Sequence, residues 1–425
     1  MKRVAVCLAT VLSVSFACVQ LAAQTKPSAS PASPVDWKIK QPEPGQPRQG
    51  YSLLPGVEST VLYRGVPATG VYSHHAQIAF LDGTFYASWS NHRWGEDGPG
   101  QRLFCSTSHD GLHWRKAFKC YPSLGKMQNP DTAGRLLTAD ALVPVDGKMY
   151  VIAEVNDRTP RGAKNYPVPA ADARYGKKTF SGRLGFGRLA RSMSPKGKLG
   201  PIFWLVNDPP DPIDGKPQYP TQEDHHFSKT AAAIHQWWQD PVHLPAWDFR
   251  FGTASAVAVD GHHMCEPNVY RRPDGVYVKL ARDCTATRHE PAHMYASTSS
   301  DGKTWTTPVP TNVPDSPSKA TSGSLPDGRV FLIGNQVSDP THHRRDPLVL
   351  SLSPDGKNFV WAAAIRAGAP PVNYPGRAKI PGFQYPVAIV ARNAIWVIYS
   401  IGKEDVAVSR IPLSALDGKG EAVRN

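Results

Sequence analysis

Two adjacent histidines, His74 and His75, offer the clearest acid–base chemistry in this 425-residue sequence. They lie near the start of an alternating apolar segment, residues 72–80, which predicts a β-strand. Histidine titrates near neutral pH and can therefore donate or accept a proton during catalysis. Because neighbours on a strand point to opposite faces, the pair is not expected to bind one metal ion together. We predict that one of the two is catalytic.

Arginine, tyrosine and asparagine side chains accompany these histidines, whereas acidic side chains are few. Such a set can neutralise a uronate carboxylate and move protons, as β-elimination requires. Hydrolysis usually needs two carboxyl groups about 5–10 Å apart, so elimination is favoured over hydrolysis. From the strand order argued below, the further candidates for substrate binding are Arg158, Arg282 and Tyr385.

A repeated pair of turns shows how these residues are positioned. Plain Asp-Gly turns at Asp82, Asp274 and Asp327 are each followed, 27 or 28 residues later, by a second Asp-Gly turn. Asp-Gly between alternating apolar segments is a strong hairpin signal, so each repeat predicts four short strands. Repeats of this kind are typical of propeller blades. The second turn has the form Ser-x-Asp-Gly-x-x-aromatic and begins at Ser108, Ser299 and Ser353.

We therefore predict an all-β fold: a β-propeller of seven blades, with six as the alternative. Residues 57–64 are expected to supply the outer strand of the last blade and to close the ring. In this topology the starts of the inner strands and the loops between the second and third strands meet at one face. That face holds residues 73–75 and 91–102 of the first blade.

The Ser-x-Asp-Gly-x-x-Trp motif resembles the Asp-box of sialidase-type (BNR-repeat) β-propellers, shortened by one residue. The Asp-box is a structural feature whose Asp and Ser side chains bind the turn backbone. Sialidases also carry an arginine triad, an acidic Asp and a Tyr–Glu pair. Their Arg-Ile-Pro motif has only a partial counterpart here, at Arg64, Val66 and Pro67.

Residues 60–115 are also similar to the rhamnosyl-glucuronate lyases and ulvan-lyase-like propellers, seven-bladed enzymes once described in part as α-L-rhamnosidases. The similarity rests on residues 72–80, on Trp89 to His92 and on residues 96–102. It implies that a funnel histidine, His74 or His75, is central to catalysis. It also implies that the adjoining loop contributes substrate-binding residues, namely Asn91, His92, Gln101 and Arg102.

Composition limits the class of protein and of partner. The net charge is +13 and the pI is about 9.4. The hydrophobic fraction of 40% is too high for a disordered chain. A basic, exported protein favours an acidic polysaccharide or oligosaccharide as partner. No nucleic-acid-binding motif and no apolar run of 18 residues after the first 25 are present, so neither nucleic acid nor membrane insertion is expected. We expect a monomer.

The N-terminus and the cysteines indicate export. We interpret residues 1–23 as a signal peptide, residues 24–50 as a flexible leader and residues 51–425 as a single catalytic propeller. The protein is therefore expected to be periplasmic or secreted. The cysteines outside the signal peptide predict two local disulfides, Cys105–Cys120 and Cys265–Cys284, with zinc binding as the alternative. No cofactor is required and no metal site is predicted, although structural Ca²⁺ or Zn²⁺ stays open.

Three functions follow from the sequence. The first is a polysaccharide lyase that cleaves an L-rhamnose–D-glucuronate type linkage in an acidic glycan by β-elimination. The alternatives are a glycoside hydrolase of the α-L-rhamnosidase or sialidase type and a non-catalytic propeller that binds acidic glycan.

Overall fold

The computed structural model describes residues 32–98, 100–123, 134–160, 180–207, 219–245, 255–285, 292–338 and 345–421. Side chains are described over the same ranges, except for residues 134–135, 157–160, 180–186 and 255. The predicted signal peptide, residues 1–23, lies outside them. Residues from Ser33 onward belong to one compact unit.

Apart from one two-stranded parallel sheet, the described strands form five antiparallel sheets, each of which is one blade. The first three blades are built from strands that follow one another in the chain, as expected when turns connect neighbours. The first blade contains β3 (Tyr72–Leu81), β4 (Thr84–His92), β5 (Arg102–Ser108) and β6 (Phe118–Lys119). The second contains β7 (Gly134–Val145), β8 (Lys148–Pro160), β9 (Phe180–Met193) and β10 (Phe203–Asn207). The third contains β11 (Ser255–Val257), β12 (His263–Arg271), β13 (Tyr277–Asp283), β14 (Ala292–Ser299) and β15 (Val309–Asp315).

The last two blades follow the same plan. The fourth contains β16 (Thr321–Ser324), β17 (Val330–Gly334), β18 (Leu348–Ser353) and β20 (Trp361–Arg366). The fifth contains β21 (Phe383–Ala391), β22 (Ala394–Ile401) and β23 (Asp405–Pro412), with β2 (Glu58–Tyr63) on its outer edge. Residues 57–64, predicted to supply this outer strand, thus include β2, which pairs antiparallel with β23.

The all-β propeller is confirmed, but the described ranges form five blades, so the prediction of seven blades, or of six, is wrong. Two features use up the chain length that those counts assumed. The inner three strands of the second blade are 12, 13 and 14 residues long, so this blade takes far more chain than the others. The described part of the segment between β10 and β11 forms helix α1 (Ser228–Trp237) and a 3-10 helix (Pro241–His243) rather than strands.

Part of the predicted flexible leader packs on the propeller. Strand β1 (Asp36–Trp37) pairs in parallel with the short strand β19 (Asn358–Phe359). Trp37 is buried, and its ring stacks on Phe359 at a centroid distance of 6.5 Å. The leader prediction for residues 24–50 is therefore corrected over residues 33–50, because an apolar side chain anchors them. A 3-10 helix (Pro47–Gly50) ends this segment, and another (Leu413–Leu416) follows β23.

Hydrophobic clusters join neighbouring blades. The first and fifth blades meet through Phe85 and Trp396, whose ring centroids lie 4.5 Å apart in a fully buried cluster. Other clusters join the first blade to the second and the fourth blade to the third and fifth. Helix α1 packs on the second blade through Ala231 and Ile234. Burial of these apolar faces is the main stabilising contribution to the ring.

All three predicted Asp-box turns are present, at the ends of β5, β14 and β18. In the copy at Ser353, the Asp355 carboxylate accepts hydrogen bonds from the backbone N–H groups of Lys357 and Asn358, both at 2.8 Å. Ser353 and the Asn358 side chain also donate to this carboxylate. The turns at Asp110 and Asp301 make the same pair of backbone bonds.

Substituting Asp355 with alanine should lower the free energy of unfolding by about 1–3 kcal/mol, because two backbone donors lose a charged acceptor. Urea denaturation followed by tryptophan fluorescence would measure the change. Asp417→Ala, at an exposed position near the C-terminus, is the matched control and should change stability by less than about 0.5 kcal/mol. Equal losses in the two variants would contradict the structural role of the Asp-box.

One of the two predicted disulfides is present. Cys265 and Cys284 are bonded, which joins the start of β12 to the end of β13. Cys105 and Cys120 are both buried but free, so the second bridge is corrected. Burial raises the pKa of the Cys105 thiol, which keeps it protonated and unreactive.

None of the helices in the described ranges combines the length and apolar character needed to cross a bilayer.

Candidate active site

Register shifts in the inner strands of three blades bring one side chain from each of these blades close together. Strands β3, β12 and β21 each shift register at an equivalent place, between His74 and Gln77, Cys265 and Asn268, and Gln384 and Val387. A β-bulge of this kind re-aims the side chain at the extra residue. The residues in the bulges have left-handed backbone angles: His75 (φ 55°), Glu266 (φ 50°) and Tyr385 (φ 54°).

Tyr385 and Glu266 form the shortest contact between these bulges. The Tyr385 hydroxyl donates a hydrogen bond to Glu266 Oε1 at 2.8 Å, although the two residues are 119 positions apart. Arg282, on β13, contacts both partners: its Nη1 donates to the Tyr385 hydroxyl at 3.1 Å, and its Nε lies 3.2 Å from Glu266 Oε2. The tyrosine hydroxyl therefore lies between a carboxylate that can accept its proton and a guanidinium that can stabilise negative charge.

A second arginine lies on the same tyrosine. The Arg345 guanidinium carbon is 5.4 Å from the centre of the Tyr385 ring, and Nη1 donates to Gln384 Oε1 at 2.8 Å. Arg282 and Arg345 both donate to the backbone carbonyl of Pro317, at 3.2 and 3.3 Å. A shared carbonyl acceptor holds the two cations side by side, which forms a binding site for an anion.

Burial and neighbouring charges determine the protonation states of Tyr385 and Arg282. Burial raises the pKa of Tyr385 well above its ordinary value, so the hydroxyl stays protonated at neutral pH. Burial alone would lower the pKa of Arg282, but the neighbouring Glu266 carboxylate raises it above the ordinary value. Arg282 therefore stays charged.

His74 packs directly against the tyrosine. Its ring centroid lies 4.2 Å from that of Tyr385, and its Nδ1 is 2.7 Å from the Ser400 hydroxyl. His74 is fully buried, and its Nε2 forms no hydrogen bond within the part of the chain that the structure describes. Burial and the nearby Lys403 charge lower the pKa of His74, so its ring is neutral at pH 7.

His75 lies one step further from the tyrosine and contacts an acidic side chain. Its Nδ1 is 3.2 Å from the Ser90 hydroxyl, and its Nε2 is 3.4 Å from Glu96 Oε1. The other oxygen of Glu96 binds the Lys403 ammonium at 2.7 Å. Burial would raise the pKa of Glu96, but Lys403 and the histidines lower it well below its usual range, so Glu96 is ionised.

We refer to these residues as the central cluster. It combines three cations, two carboxylates, two histidines and one tyrosine from the first, third and fifth blades and from the loop before the fourth-blade strand β18. Its members are His74, His75, Glu96, Glu266, Arg282, Arg345, Tyr385 and Lys403.

Two of the predicted binding residues support the loop that carries Glu96. His92 Nδ1 lies 2.9 Å from the Gly95 carbonyl oxygen. Gln101 accepts from the Asp97 backbone N–H and donates to the Leu137 carbonyl, each at 2.9 Å. These contacts fix the loop on the first two blades, and the structure does not bring either side chain into the central cluster.

Two other predicted residues, Asn91 and Arg102, are also outside the central cluster. Arg102 Nε donates to Asn91 Oδ1 at 3.1 Å, and the two side chains contact Thr69 and Tyr72 rather than the cluster. Arg158 lies on β8, but its side chain falls outside the described residues. Arg64, the partial counterpart of the sialidase arginine, is largely exposed and pairs with Asp405.

Of the predicted residues, the structure therefore brings together His74, His75, Arg282 and Tyr385. The sequence-based selection missed Glu266, Arg345, Lys403 and the position of Glu96 against His75. One signal was available: Glu266 and Tyr385 follow the first residues of their inner strands just as His75 does. Because the three residues occupy equivalent positions near the starts of their strands, Glu266 and Tyr385 could have been predicted to lie close to His75.

Lys319 borders the cluster from the loop that precedes β16. Its ammonium donates to the Pro386 carbonyl oxygen at 3.3 Å, and burial lowers its pKa from 10.5 to about 8. Asp315, the last residue of β15, has a fully buried carboxyl, and burial raises its pKa well above the ordinary value.

Stability should depend on pH through Lys319. Between pH 8 and 10.5 the unfolded chain keeps a proton that the folded chain has released, so the free energy of unfolding rises with pH in this window. The full difference is on the order of 3 kcal/mol. Urea denaturation from pH 7 to 10.5 should show Lys319→Met as the more stable protein at pH 7, with the difference shrinking as pH rises. A difference that stays constant over this range would contradict the assignment.

A cavity of about 430 Å³ lies next to the bulges of the inner strands. Residues that follow the bulges on the inner strands line it, including Ile78, Val269 and Ile389, and Trp237 contributes from helix α1. Asp140 and Lys319 are the charged residues of its lining, and most of the other lining residues are apolar or uncharged. The charged side chains that suit catalysis lie in the central cluster instead.

Two family models match parts of the chain. Residues 215–398 match the BNR repeat-like domain, and residues 65–248 match the BT_1020-like, N-terminal β-propeller. Neither match spans half of the chain. No curated protein sequence matches the chain significantly.

Solved sialidases have a similar fold. One sialidase superposes with a TM-score of 0.67 at 22% identity over 89% of this chain, which spans only 35% of that protein's length. The intramolecular trans-sialidase from Ruminococcus gnavus matches with a TM-score of 0.50 at 11% identity, over 84% of this chain and 98% of its own. The chain therefore has a sialidase-like β-propeller fold, as the Asp-box resemblance implied. The resemblance to rhamnosyl-glucuronate lyases is not shown by these comparisons.

Proposed function

We propose that the protein is a glycoside hydrolase that acts on an acidic sugar whose carboxylate is attached to the anomeric carbon. The observation that carries the proposal is the Tyr385 hydroxyl, held 2.8 Å from Glu266 Oε1 and 3.1 Å from Arg282 Nη1. Solved structures with this fold include sialidases, whose substrates belong to this chemical class.

A tyrosine–glutamate pair suits a substrate of this kind. A carboxylate nucleophile would be repelled by the carboxylate on the reacting carbon, whereas a neutral phenol is not, and tyrosine is the nucleophile of sialidases. Because burial keeps the Tyr385 hydroxyl protonated, Glu266 accepts the proton as the phenol oxygen attacks. The tyrosyl-linked sugar is then released by water, so the anomeric configuration is retained.

Arg282 and Arg345 bind the substrate carboxylate. Their side-by-side placement on the Pro317 carbonyl matches the two oxygens of a carboxylate. The third arginine of a sialidase triad has no counterpart among the described members of the central cluster, where histidines and Lys403 lie instead. The residues that would surround the sugar therefore differ from a sialidase triad, which favours an acidic sugar other than sialic acid.

His75 transfers a proton to the leaving oxygen. Glu96 is a poor donor because Lys403, at 2.7 Å, keeps it ionised. An ionised Glu96, 3.4 Å from His75 Nε2, instead orients the ring, which is one role that a carboxylate plays beside a catalytic histidine.

Elimination from a uronate is the second candidate. The proximity of His75 to Tyr385, at 5.8 Å between ring centroids, places a base and an acid beside two arginines that could neutralise a uronate carboxylate. This chemistry needs no nucleophile, so it leaves the Tyr385–Glu266 hydrogen bond without a role.

One experiment separates the two candidates. Purified protein is incubated with fluorogenic ketosides of several 2-keto-3-deoxy sugar acids and, in parallel, with rhamnose-glucuronate glycans and ulvan. Release of the fluorophore with retention of configuration by NMR supports hydrolysis. Ultraviolet absorbance from a new C4–C5 double bond supports elimination and overturns the hydrolase proposal. A 3-fluoro sugar-acid fluoride should label Tyr385 covalently, which peptide mass spectrometry detects.

A further inference from the structure

The bulge in β3 turns two neighbouring histidines toward the same point. On a regular strand the side chains of His74 and His75 would lie on opposite faces. The left-handed backbone of His75 instead brings the two ring centroids to 4.6 Å from each other. The sequence-based argument against shared metal binding by this pair therefore does not hold in the folded chain.

Both rings present the same nitrogen atom to one carboxylate. His74 Nε2 lies 3.9 Å and His75 Nε2 3.4 Å from Glu96 Oε1. Each Nδ1 faces a serine hydroxyl, Ser400 for His74 and Ser90 for His75. An anchored second nitrogen is the usual arrangement of metal-binding histidines, because it fixes the ring and the tautomer.

The spacing fits a small divalent ion. Tetrahedral zinc has ligand distances of about 2.0–2.1 Å, which puts neighbouring ligand atoms roughly 3.3 Å apart. Of the three donor pairs, His75–Glu96 matches this value, and all three donor atoms lie within 4.8 Å of one another. His74 Nε2 is buried and makes no hydrogen bond to any residue in the described ranges, so an ion would satisfy it.

We propose that His74, His75 and Glu96 bind a divalent transition-metal ion of the zinc type, and that the bound ion inhibits the enzyme. Two imidazole nitrogens and one carboxylate oxygen suit Zn²⁺ or Co²⁺ better than Ca²⁺ or Mg²⁺. The inhibition rests on the proposed function, in which His75 and Glu96 handle the proton of the leaving group; the binding does not. An ion on their donor atoms would remove both from that role.

The positive charge of Lys403 opposes binding of the metal ion, so its removal changes metal affinity in a direction that tests the site. Its ammonium lies 2.7 Å from Glu96 Oε2, so a divalent ion on Oε1 would have a cation as close neighbour. Lys403→Met removes this repulsion and should tighten binding. Loss of a merely structural contact would instead weaken it.

The test uses Co²⁺ as the probe on an untagged protein. A second group of the described residues, the half-buried Asp224 with the exposed His225 and His226, could also bind metal. All measurements are therefore made in a His225→Ala/His226→Ala background. Visible d–d absorbance follows Co²⁺ binding, and added Zn²⁺ displaces the Co²⁺. His113→Ala, which alters an exposed histidine paired with Asp110, is the matched control.

We expect one Co²⁺ per chain, weakened by about 10–100-fold or more in His75→Ala, unchanged in His113→Ala and tightened in Lys403→Met. Circular dichroism checks that each variant is folded. Absence of a saturable band, equal binding by His75→Ala or weaker binding by Lys403→Met would overturn the site. Because the absorbance needs no substrate, these outcomes stay separate from failure of the proposed hydrolase. With an active substrate, full activity at saturating Co²⁺ would overturn the inhibition.

Discussion

Tyr385→Phe should reduce kcat for a cleavable ketoside by about 10³-fold or more, the range seen when a nucleophile is removed. The substitution deletes only the hydroxyl that donates to Glu266, and the ring keeps its packing on His74. KM should change little, because the two arginines that bind the carboxylate remain. Steady-state kinetics with a fluorogenic ketoside would measure both constants.

Tyr399→Phe is the matched control for this prediction. Tyr399 is also fully buried, but its hydroxyl contacts Arg366 and Ser409 at the packing surface of the fifth blade. Its loss should lower stability modestly and leave kcat within about twofold, since no catalytic group is touched. A Tyr385→Phe variant that keeps more than a tenth of the parent kcat would show that the tyrosine is not the nucleophile.

Arg345→Met should lower kcat/KM by roughly 30-fold or more, because losing one member of a buried charge pair costs about 2–5 kcal/mol. Arg345 contributes to the anion site beside Tyr385, and methionine keeps most of its apolar volume. The expected loss appears mainly as a higher KM if Arg345 binds the carboxylate equally well in the ground state and in the transition state.

A substrate with its carboxylate converted to an amide completes the test. The parent enzyme should discriminate strongly against the amide, whereas Arg345→Met should discriminate much less, because the two changes remove the same interaction. Arg366→Met, whose guanidinium packs on Phe383 at the packing surface between the fourth and fifth blades, should discriminate like the parent. Additive losses from Arg345→Met and the amide would place the carboxylate elsewhere.

The sequence predicted what local signals can encode. Asp-Gly turns and the Asp-box serines are specified by residues adjacent in the chain, and the structure confirms them. The blade count depends on how much chain each blade uses, and neither the long strands β7–β9 nor the helical segment after β10 follows the repeat spacing. A repeat period measured on other blades therefore could not give the number five.

The site was predicted in part for a similar reason. The strand start that holds His74 and His75 is visible in the sequence, and so is the strand that begins near Tyr385. The bulges are not, because glutamate and tyrosine have no preference for left-handed backbone angles, and the enrichment of histidine at such angles is too weak to identify His75. The partnership of Glu266 with Tyr385 joins positions 119 residues apart, so only the folded ring reveals it.

The left-handed bulges have a consequence for chemical rescue. A residue with a Cβ pays about 1–2 kcal/mol for such an angle, whereas glycine does not. Glycine at positions 75, 266 or 385 would thus relieve the backbone while emptying the space of an imidazole, a carboxylate or a phenol. Glu266→Gly should be more stable than Glu266→Ala and should regain activity with added formate or acetate. The propeller would then work as a scaffold with interchangeable functional groups supplied from solution.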